Sequence, residues 1–247
     1  MEYKNALVTG ASSGIGRGLS AWLAKRGIKV WAAARRMENL QSLKTEAGDN
    51  IVPFKLDCSQ ADATYEAVQR LDADCGGLDL VVANAGVAEE SVPKRLDWKR
   101  VRNMLEVNVI GSTATIGGVV PGMLSRNRGH IVGISSIAAY GAVPRIGAYC
   151  GTKAYLMTFL QGLRLDLAKT DIVVSSIHPG YVKSEMTADF KKPPPFLMET
   201  GDAVERIGAA IFKGVESYTF PWQMNVGMRT LAALPRPLFE AAARKLR

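Results

Sequence analysis

The stretch Ala6-Leu7-Val8-Thr9-Gly10-Ala11-Ser12-Ser13-Gly14-Ile15-Gly16 decides the fold. Its apolar start reads as a short buried strand, its glycines as a tight turn, and the residues after the turn as a helix. Leu19, Trp22, Leu23 and Arg26 show the three-four spacing of an amphipathic helix. Outward from this unit the alternation repeats. Apolar runs at 30–34, 51–56, 78–83, 130–134 and 172–177 each end in polar or glycine residues, with helix-length segments between them. Continuously apolar strands belong to a sheet buried on both faces, and strand–helix alternation makes that sheet parallel. The expected fold is one doubly wound, Rossmann-type α/β domain over residues 1–247.

Composition agrees. A chain of 247 residues holds one large domain, and folding at that length buries roughly 70–75% of the unfolded surface. With 47% apolar and 22% charged residues it is neither disordered, collagen-like nor low-complexity. The net charge of +8 favours anionic ligands but is too diffuse to imply nucleic acid. Cys58, Cys75 and Cys150 are widely spaced, and His130 and His178 are the only histidines. No metal site can be drawn from that set. Few, odd-numbered cysteines fit a reducing, cytoplasmic compartment, and the N-terminal apolar run is too short for a signal peptide. Residues 107–125 carry no charge over a membrane-crossing length. Asn108, Ser112, Thr113, Thr115 and Pro121 within them, and Glu106 and Arg126 at their bounds, read instead as a buried helix.

The tail is different. Lys191-Lys192-Pro193-Pro194-Pro195 marks a break, a helix is expected over 202–217, and 226–247 is a basic helical segment. It carries Arg229, Arg236, Arg244, Lys245 and Arg247 against Glu240 alone. Leu231, Leu234, Leu238, Phe239 and Leu246 could form an apolar face beside these arginines, for packing, for a subunit contact or for an anionic membrane surface.

The glycine turn carries chemistry. Gly10, Gly14 and Gly16 let backbone approach a pyrophosphate, and the helix N-terminus offers free N–H groups and a positive dipole end. The spacing Gly-x-x-x-Gly-x-Gly departs from the commoner Gly-x-Gly-x-x-Gly, and a glycine turn alone also serves as a mere tight turn. The second strand sharpens the reading. Dinucleotide sites selective for NAD place an acid at its end. Here stand Ala33-Ala34-Arg35-Arg36, with no acid before Glu38. A guanidinium fork binds a 2′-phosphate that a carboxylate would repel, so NADP(H) is the expected cofactor, with Arg35 as first contact and Arg36 beside it.

At Tyr149-Cys150-Gly151-Thr152-Lys153, thirteen residues beyond Ser136, the chain resembles the short-chain dehydrogenase/reductase family. The resemblance runs in order from Thr9 to about Ser184. It implies that Gly10, Ser12, Ser13, Gly14, Ile15 and Gly16 form the cofactor loop, and that Asp57, with Cys58 next to it, contacts the adenine. Asn84-Ala85-Gly86 matches the family's Asn-Ala-Gly motif, preceded by Ala83 where a second Asn is common. Pro179-Gly180-Tyr181-Val182-Lys183-Ser184 resembles the segment bordering the nicotinamide, with Ser184 where Thr is usual; Pro179, Gly180, Val182 and Ser184 are its expected cofactor contacts. Asn108, Ser136, Tyr149 and Lys153 fall on the catalytic tetrad, Tyr149 and Lys153 also meeting the cofactor.

Those residue types suit the chemistry. Tyr149 and Lys153, four apart, share one helix face. A nearby ammonium and an oxidised nicotinamide are expected to favour the phenolate, and a two-unit shift needs roughly 2.7 kcal/mol. Ser136 can hydrogen-bond a substrate oxygen as charge develops, and the resemblance implies that Asn108 positions a water. Singly, each also reads as ordinary packing or a solvated side chain, and Asn108 as a helix-kink residue. His178 reads as structural and Cys150 as packing.

The substrate is open. Met186, Phe190, Phe196, Leu197 and Met198 in the expected substrate loop, 185–200, imply an apolar wall, and so an apolar ketone or alcohol. Alternatives are a 3-oxoacyl reductase acting on a carrier- or coenzyme-bound chain, whose acidic partner a basic surface would attract, and a non-catalytic NADP(H)-binding regulator. By analogy with the family the chain forms a homodimer or homotetramer through the helices bearing Asn108 and Tyr149, where small residues from Gly111 to Gly118 permit close approach.

Overall fold

The computed structural model describes residues 1–188 and 192–244. Phe190 and Lys191 of the tail loop, and Lys245, Leu246 and Arg247 of the basic segment, lie outside the described residues. Seven strands form one parallel sheet: β1 (Asn5–Thr9), β2 (Lys29–Ala34), β3 (Ile51–Lys55), β4 (Leu80–Ala83), β5 (Gly129–Ile134), β6 (Ile172–Pro179) and β7 (Ser217–Phe220). Their order is β3-β2-β1-β4-β5-β6-β7. The chain reverses its direction of winding between β1 and β4, and a crevice opens there at the carboxyl ends of the strands.

The nine helices among the described residues are α1 (Gly14–Ala24), α2 (Met37–Ala47), α3 (Ala61–Asp74), α4 (Trp98–Leu105), α5 (Ser112–Arg126), α6 (Gly147–Asp166), α7 (Thr200–Lys213), α8 (Trp222–Ala233) and α9 (Arg236–Ala243). Strand side chains alternate between the two faces. Ala6 and Val8 of β1 therefore join a core with Leu19 and Leu23 of α1 and Val204, Ile207 and Ile211 of α7. Leu7, between them, joins the opposite core with Val68 of α3, Ile116 and Val119 of α5, and Leu156 and Leu160 of α6. Each β1 residue from Ala6 to Val8 is wholly buried, which is why that strand could be apolar throughout.

The run Trp98–Arg126 is long and apolar enough to cross a membrane, yet 56% of its most apolar window is buried inside the protein. It is a core helix. A Cβ on Gly118 would come within 2.7 Å of the Tyr65 carbonyl oxygen and 2.9 Å of Val68 Cβ. Gly117, Gly118 and Gly122 of α5 thus seat α3 of the same subunit. At the far end of this pair Arg126 donates to both carboxylate oxygens of Asp72, each at 2.8 Å, and Asp72 also accepts from the Leu78 N–H at 2.7 Å. That cluster ties α3, α5 and the approach to β4 together.

Two expectations about the tail need correction. The helix expected over 202–217 ends at Lys213, capped by left-handed Gly214, and Ser217 begins β7. The basic segment is two helices that start at Trp222 and break at Leu234-Pro235. Within it Leu231, Leu234 and Phe239 are half-buried while Leu238 is exposed. Phe239 lies against Gly141, whose Cβ would meet its ring at 3.2 Å, so this segment packs on the domain.

Asp72 is 5% exposed, and removing its partner strands a buried carboxylate. Arg126→Met should lower unfolding stability by about 3 kcal/mol, read by urea denaturation; Asp72→Asn in that background should restore part of it.

Candidate active site

The glycine turn leaves β1 at the crevice. Gly10 and Gly14 take left-handed φ of 68° and 52°, angles that favour glycine. A Cβ on Gly10 would stand 2.8 Å from Ala85 Cα, and one on Gly14 3.2 Å from Ser184 Cβ. The turn is therefore wedged between the Asn84-Ala85-Gly86 segment and the segment after β6. Thr9 fastens the first of these: its Oγ1 accepts from the Asn84 and Ala85 N–H groups at 3.0 and 3.1 Å, while Asn84 Nδ2 donates to the Thr9 carbonyl at 2.8 Å. Behind the turn, α1 opens at Ser13 with no side-chain cap and no acid in its first turn. Its leading N–H groups are open to an anion. An open backbone cradle at a helix N-terminus fits the pyrophosphate of a dinucleotide.

At the end of β2 the two arginines separate. Arg36 donates to Ser12 Oγ at 3.0 Å and Ser13 Oγ at 3.1 Å, and Asn39 Nδ2 donates to the Ser12 carbonyl at 3.2 Å. Arg35 is exposed and its charge is felt at Cys58. The contacts with the glycine turn thus belong to Arg36, while Arg35, the expected first contact of a 2′-phosphate, stands exposed beside it. Asp57 is half-buried and accepts from the Ser59 N–H and Oγ at 3.0 and 2.8 Å. Cys58 and Val182 turn their side chains into the core, and the Val182 carbonyl accepts from Thr187 Oγ1 at 3.0 Å. Burial also pushes the Cys58 thiol up to about 11.

The catalytic candidates converge at the end of β5. Lys153 is 5% exposed and its Nζ donates to the Ile134 carbonyl at 2.9 Å. One residue on, Ser135 Oγ donates to the Lys153 carbonyl at 2.8 Å. These reciprocal bonds pin α6 to the strand end. Nζ lies 5.8 Å from the centre of the Tyr149 ring. A Cβ on Gly86 would sit 3.3 Å from Lys153 Nζ and 3.4 Å from Asn108 Oδ1, so the glycine leaves room between the two. Ser136 caps the turn Ile137–Tyr140, its Oγ accepting from the Ala138 N–H at 3.1 Å.

Desolvation pushes the half-buried Tyr149 phenol up to about 12, partly offset by a hydrogen bond with the Ser136 side chain. It pushes the Lys153 ammonium down to about 8. In the protein alone desolvation is the largest influence on the phenol and raises it, opposite in sense to the effect expected of the ammonium and an oxidised nicotinamide together.

Asn108 sits in one π turn, Glu106–Gly111, between α4 and α5, a distortion frequent at functional sites. Its Oδ1 accepts from the Val87 N–H at 2.8 Å, and its Nδ2 donates to the Val87 carbonyl at 2.8 Å and to Thr152 Oγ1 at 3.1 Å. The side chain therefore staples the Asn-Ala-Gly segment to α6. Thr9, Ser135, Thr152 and Glu185 were not singled out from sequence. Thr9 and Ser135 directly precede Gly10 and Ser136, where a strand-end hydroxyl is the available signal. His178 is buried, with Nε2 3.0 Å from Ser176 Oγ, and burial takes it down to about 4. It stays neutral at physiological pH.

Comparison with known proteins decides the family: the model of the short chain dehydrogenases matches residues 4–194. The chain belongs to the short-chain dehydrogenase/reductase family. An uncharacterised oxidoreductase of Myxococcus xanthus is 52% identical over 250 residues, spanning 100% of this chain and 99% of its own. A Burkholderia cenocepacia short-chain dehydrogenase in complex with NADP superposes with a TM-score of 0.83 at 28% identity, covering 99% of this chain and 98% of its own. The closed form of a serine dehydrogenase complexed with NADP⁺ gives 0.80 at 29% identity, over 89% and 95%. This short-chain dehydrogenase/reductase is accordingly an oxidoreductase with the family's parallel sheet.

Lys153 falls from an ordinary 10.5 to about 8, so between those values the unfolded chain binds more protons. Wild-type stability should therefore rise relative to Lys153→Met from pH 8 to pH 10.5. Thermal melts of both across that window check it; parallel curves would mean a solvated Lys153.

Proposed function

We propose that the chain is an NADP(H)-dependent oxidoreductase that interconverts a carbonyl and a secondary alcohol, with Tyr149 as the acid/base group. The observation that carries this is the meeting of Ser136, Tyr149 and Lys153 at the end of β5, facing the gap left by Gly86. A bound nicotinamide dinucleotide supplies or takes up the hydride. The open N-terminus of α1 and the backbone of residues 10–16 hold its pyrophosphate, Asp57 faces its adenine side, and Lys153 reaches its nicotinamide ribose. Gly180 and Ser184 border the nicotinamide, next to the glycine turn that Ser184 touches.

Tyr149 holds a proton at neutral pH and so donates it to a carbonyl oxygen on reduction. Ser136 Oγ orients that oxygen and stabilises charge on it. Lys153 lowers the free energy of the phenolate once the proton has left, because its ammonium stands beside the ring in a poorly screened place. The ammonium, 5.8 Å from the centre of the Tyr149 ring and made a readier donor by burial, is the source from which that proton is replaced.

Preference for NADP(H) is supported by Arg36 on the glycine turn, by Arg35 beside it, and by the two neighbours bound to NADP. An apolar substrate is supported by Met186, Phe196 and Leu197, all solvent-facing on the segment after Ser184. Met198 instead packs on the core and returns the segment to Val182. Self-association through the helices bearing Asn108 and Tyr149 is supported by exposed Ile110 of the π turn and exposed Tyr155 of α6.

Purified protein should oxidise NADPH in the presence of an apolar ketone from a panel of carbonyl compounds. Tyr149→Phe should lose about a thousandfold in turnover while binding NADPH as wild type does. Undiminished turnover by that variant would refute the assignment of Tyr149, and tighter binding of NADH than NADPH would refute the cofactor preference.

A further inference from the structure

The guanidinium of Arg36 is already gripped. Nη1 donates to Glu185 Oε1 at 3.1 Å and Nη2 to Glu185 Oε2 at 3.0 Å, the two-pronged geometry by which arginine takes a carboxylate or a phosphate. Nη2 also reaches Ser12 and Ser13, and Nε reaches Ser12 Oγ at 3.3 Å. Of the five N–H donors on a guanidinium, these contacts leave little beyond one on Nη1. Glu185 is the first residue of the turn Glu185–Thr187, which a capping box between Ser184 and Thr187 holds in place. It thus joins the far side of the crevice to the very group that the cofactor reading assigns to a 2′-phosphate. Arg36 and Ser13 together hold the Glu185 carboxyl below the usual range, so it is a full anion at neutral pH.

We infer that Glu185 occupies the 2′-phosphate position on Arg36, and that NADP(H) binds by displacing its carboxylate. This rests on the NADP(H) reading above. One fork cannot serve two anions, and a carboxylate left beside a phosphate dianion repels it. A cofactor without the 2′-phosphate needs no such displacement, so Glu185 narrows the preference that Arg36 creates. Displacement also frees the start of the segment that carries Met186, Phe196 and Leu197. Occupancy by the phosphorylated cofactor thereby frees the turn Glu185–Thr187 from Arg36, and occupancy by the unphosphorylated one leaves it latched.

The test is calorimetric titration of wild type and Glu185→Gln with NADPH, NADH, adenosine 2′,5′-bisphosphate and adenosine 5′-monophosphate. Both partners are substantially exposed, with side-chain exposures of 42% and 61%, so the effect is modest and folding should not suffer. Glu185→Gln should tighten NADPH and the bisphosphate by about threefold to tenfold and leave NADH and the monophosphate within twofold. Unchanged or weaker NADPH binding, or equal gains for all four ligands, would overturn the displacement. The wild-type ratio of NADPH to NADH affinity judges the cofactor reading. The change in that ratio on substitution judges Glu185, so the two can fail separately. Hydrogen exchange over residues 184–188 gives a second readout: it should be faster in free Glu185→Gln than in free wild type, and equal rates would contradict the latch.

Discussion

An ammonium group buried at the end of a parallel strand is the constraint on which the site depends. Lys153 is 5% exposed, and its charge is tolerated only because the Ile134 carbonyl accepts from it while the Ser135 hydroxyl holds its own backbone. A lysine so placed cannot be moved without moving α6, so Tyr149 one turn earlier is held with it. Burial acts on the two groups in opposite senses. It keeps the proton on the phenol and loosens the proton on the amine. The two shifts agree with the proposed role of Tyr149 as a proton donor and of Lys153 as the cation beside it.

The rest of the crevice is built by close approach. The left-handed glycines of the first turn allow it to lie against Ala85 and Ser184, and Thr9 and Asn84 lock that contact. Asn108 then connects the same segment to α6 through Val87 and Thr152. The glycine turn, the Asn-Ala-Gly segment and α6 are thus one hydrogen-bonded unit at the reversal point of the sheet. Glu185 adds a link of another kind, because an exposed ion pair can be exchanged for a ligand while buried hydrogen bonds cannot.

The first six strands were legible because helices cover both faces of the sheet, which forces runs such as Ala6-Leu7-Val8 and Leu80-Val81-Val82. β7 was not, since an edge strand of four residues, Ser-Tyr-Thr-Phe, needs only Phe220 inside and offers no such run. The tail helices were misplaced for a related reason: none of the residues of α8 is fully buried, so no apolar period marks its start at Trp222. The order of glycine turn, Asn84-Ala85-Gly86, Ser136 and Tyr149-x-x-x-Lys153 was visible as spacing. What spacing could not give was direction. It did not show that Arg36 lies on Ser12 and Ser13 while Arg35 is exposed, and it named the charge beside Tyr149 without the desolvation that opposes it. The small residues of α5 were ambiguous in the same way, since a glycine admits a neighbour without saying which one.

Spectrophotometric titration of tyrosine ionisation, in wild type and in Tyr149→Phe, addresses the proton on Tyr149 directly. With the phenol raised to about 12, the two curves should coincide from about pH 9 to pH 11 and separate only above. A wild-type curve with one additional tyrosine ionising at or below pH 10 would contradict the account, because Tyr149 would then be an ordinary phenol and burial would not set its role.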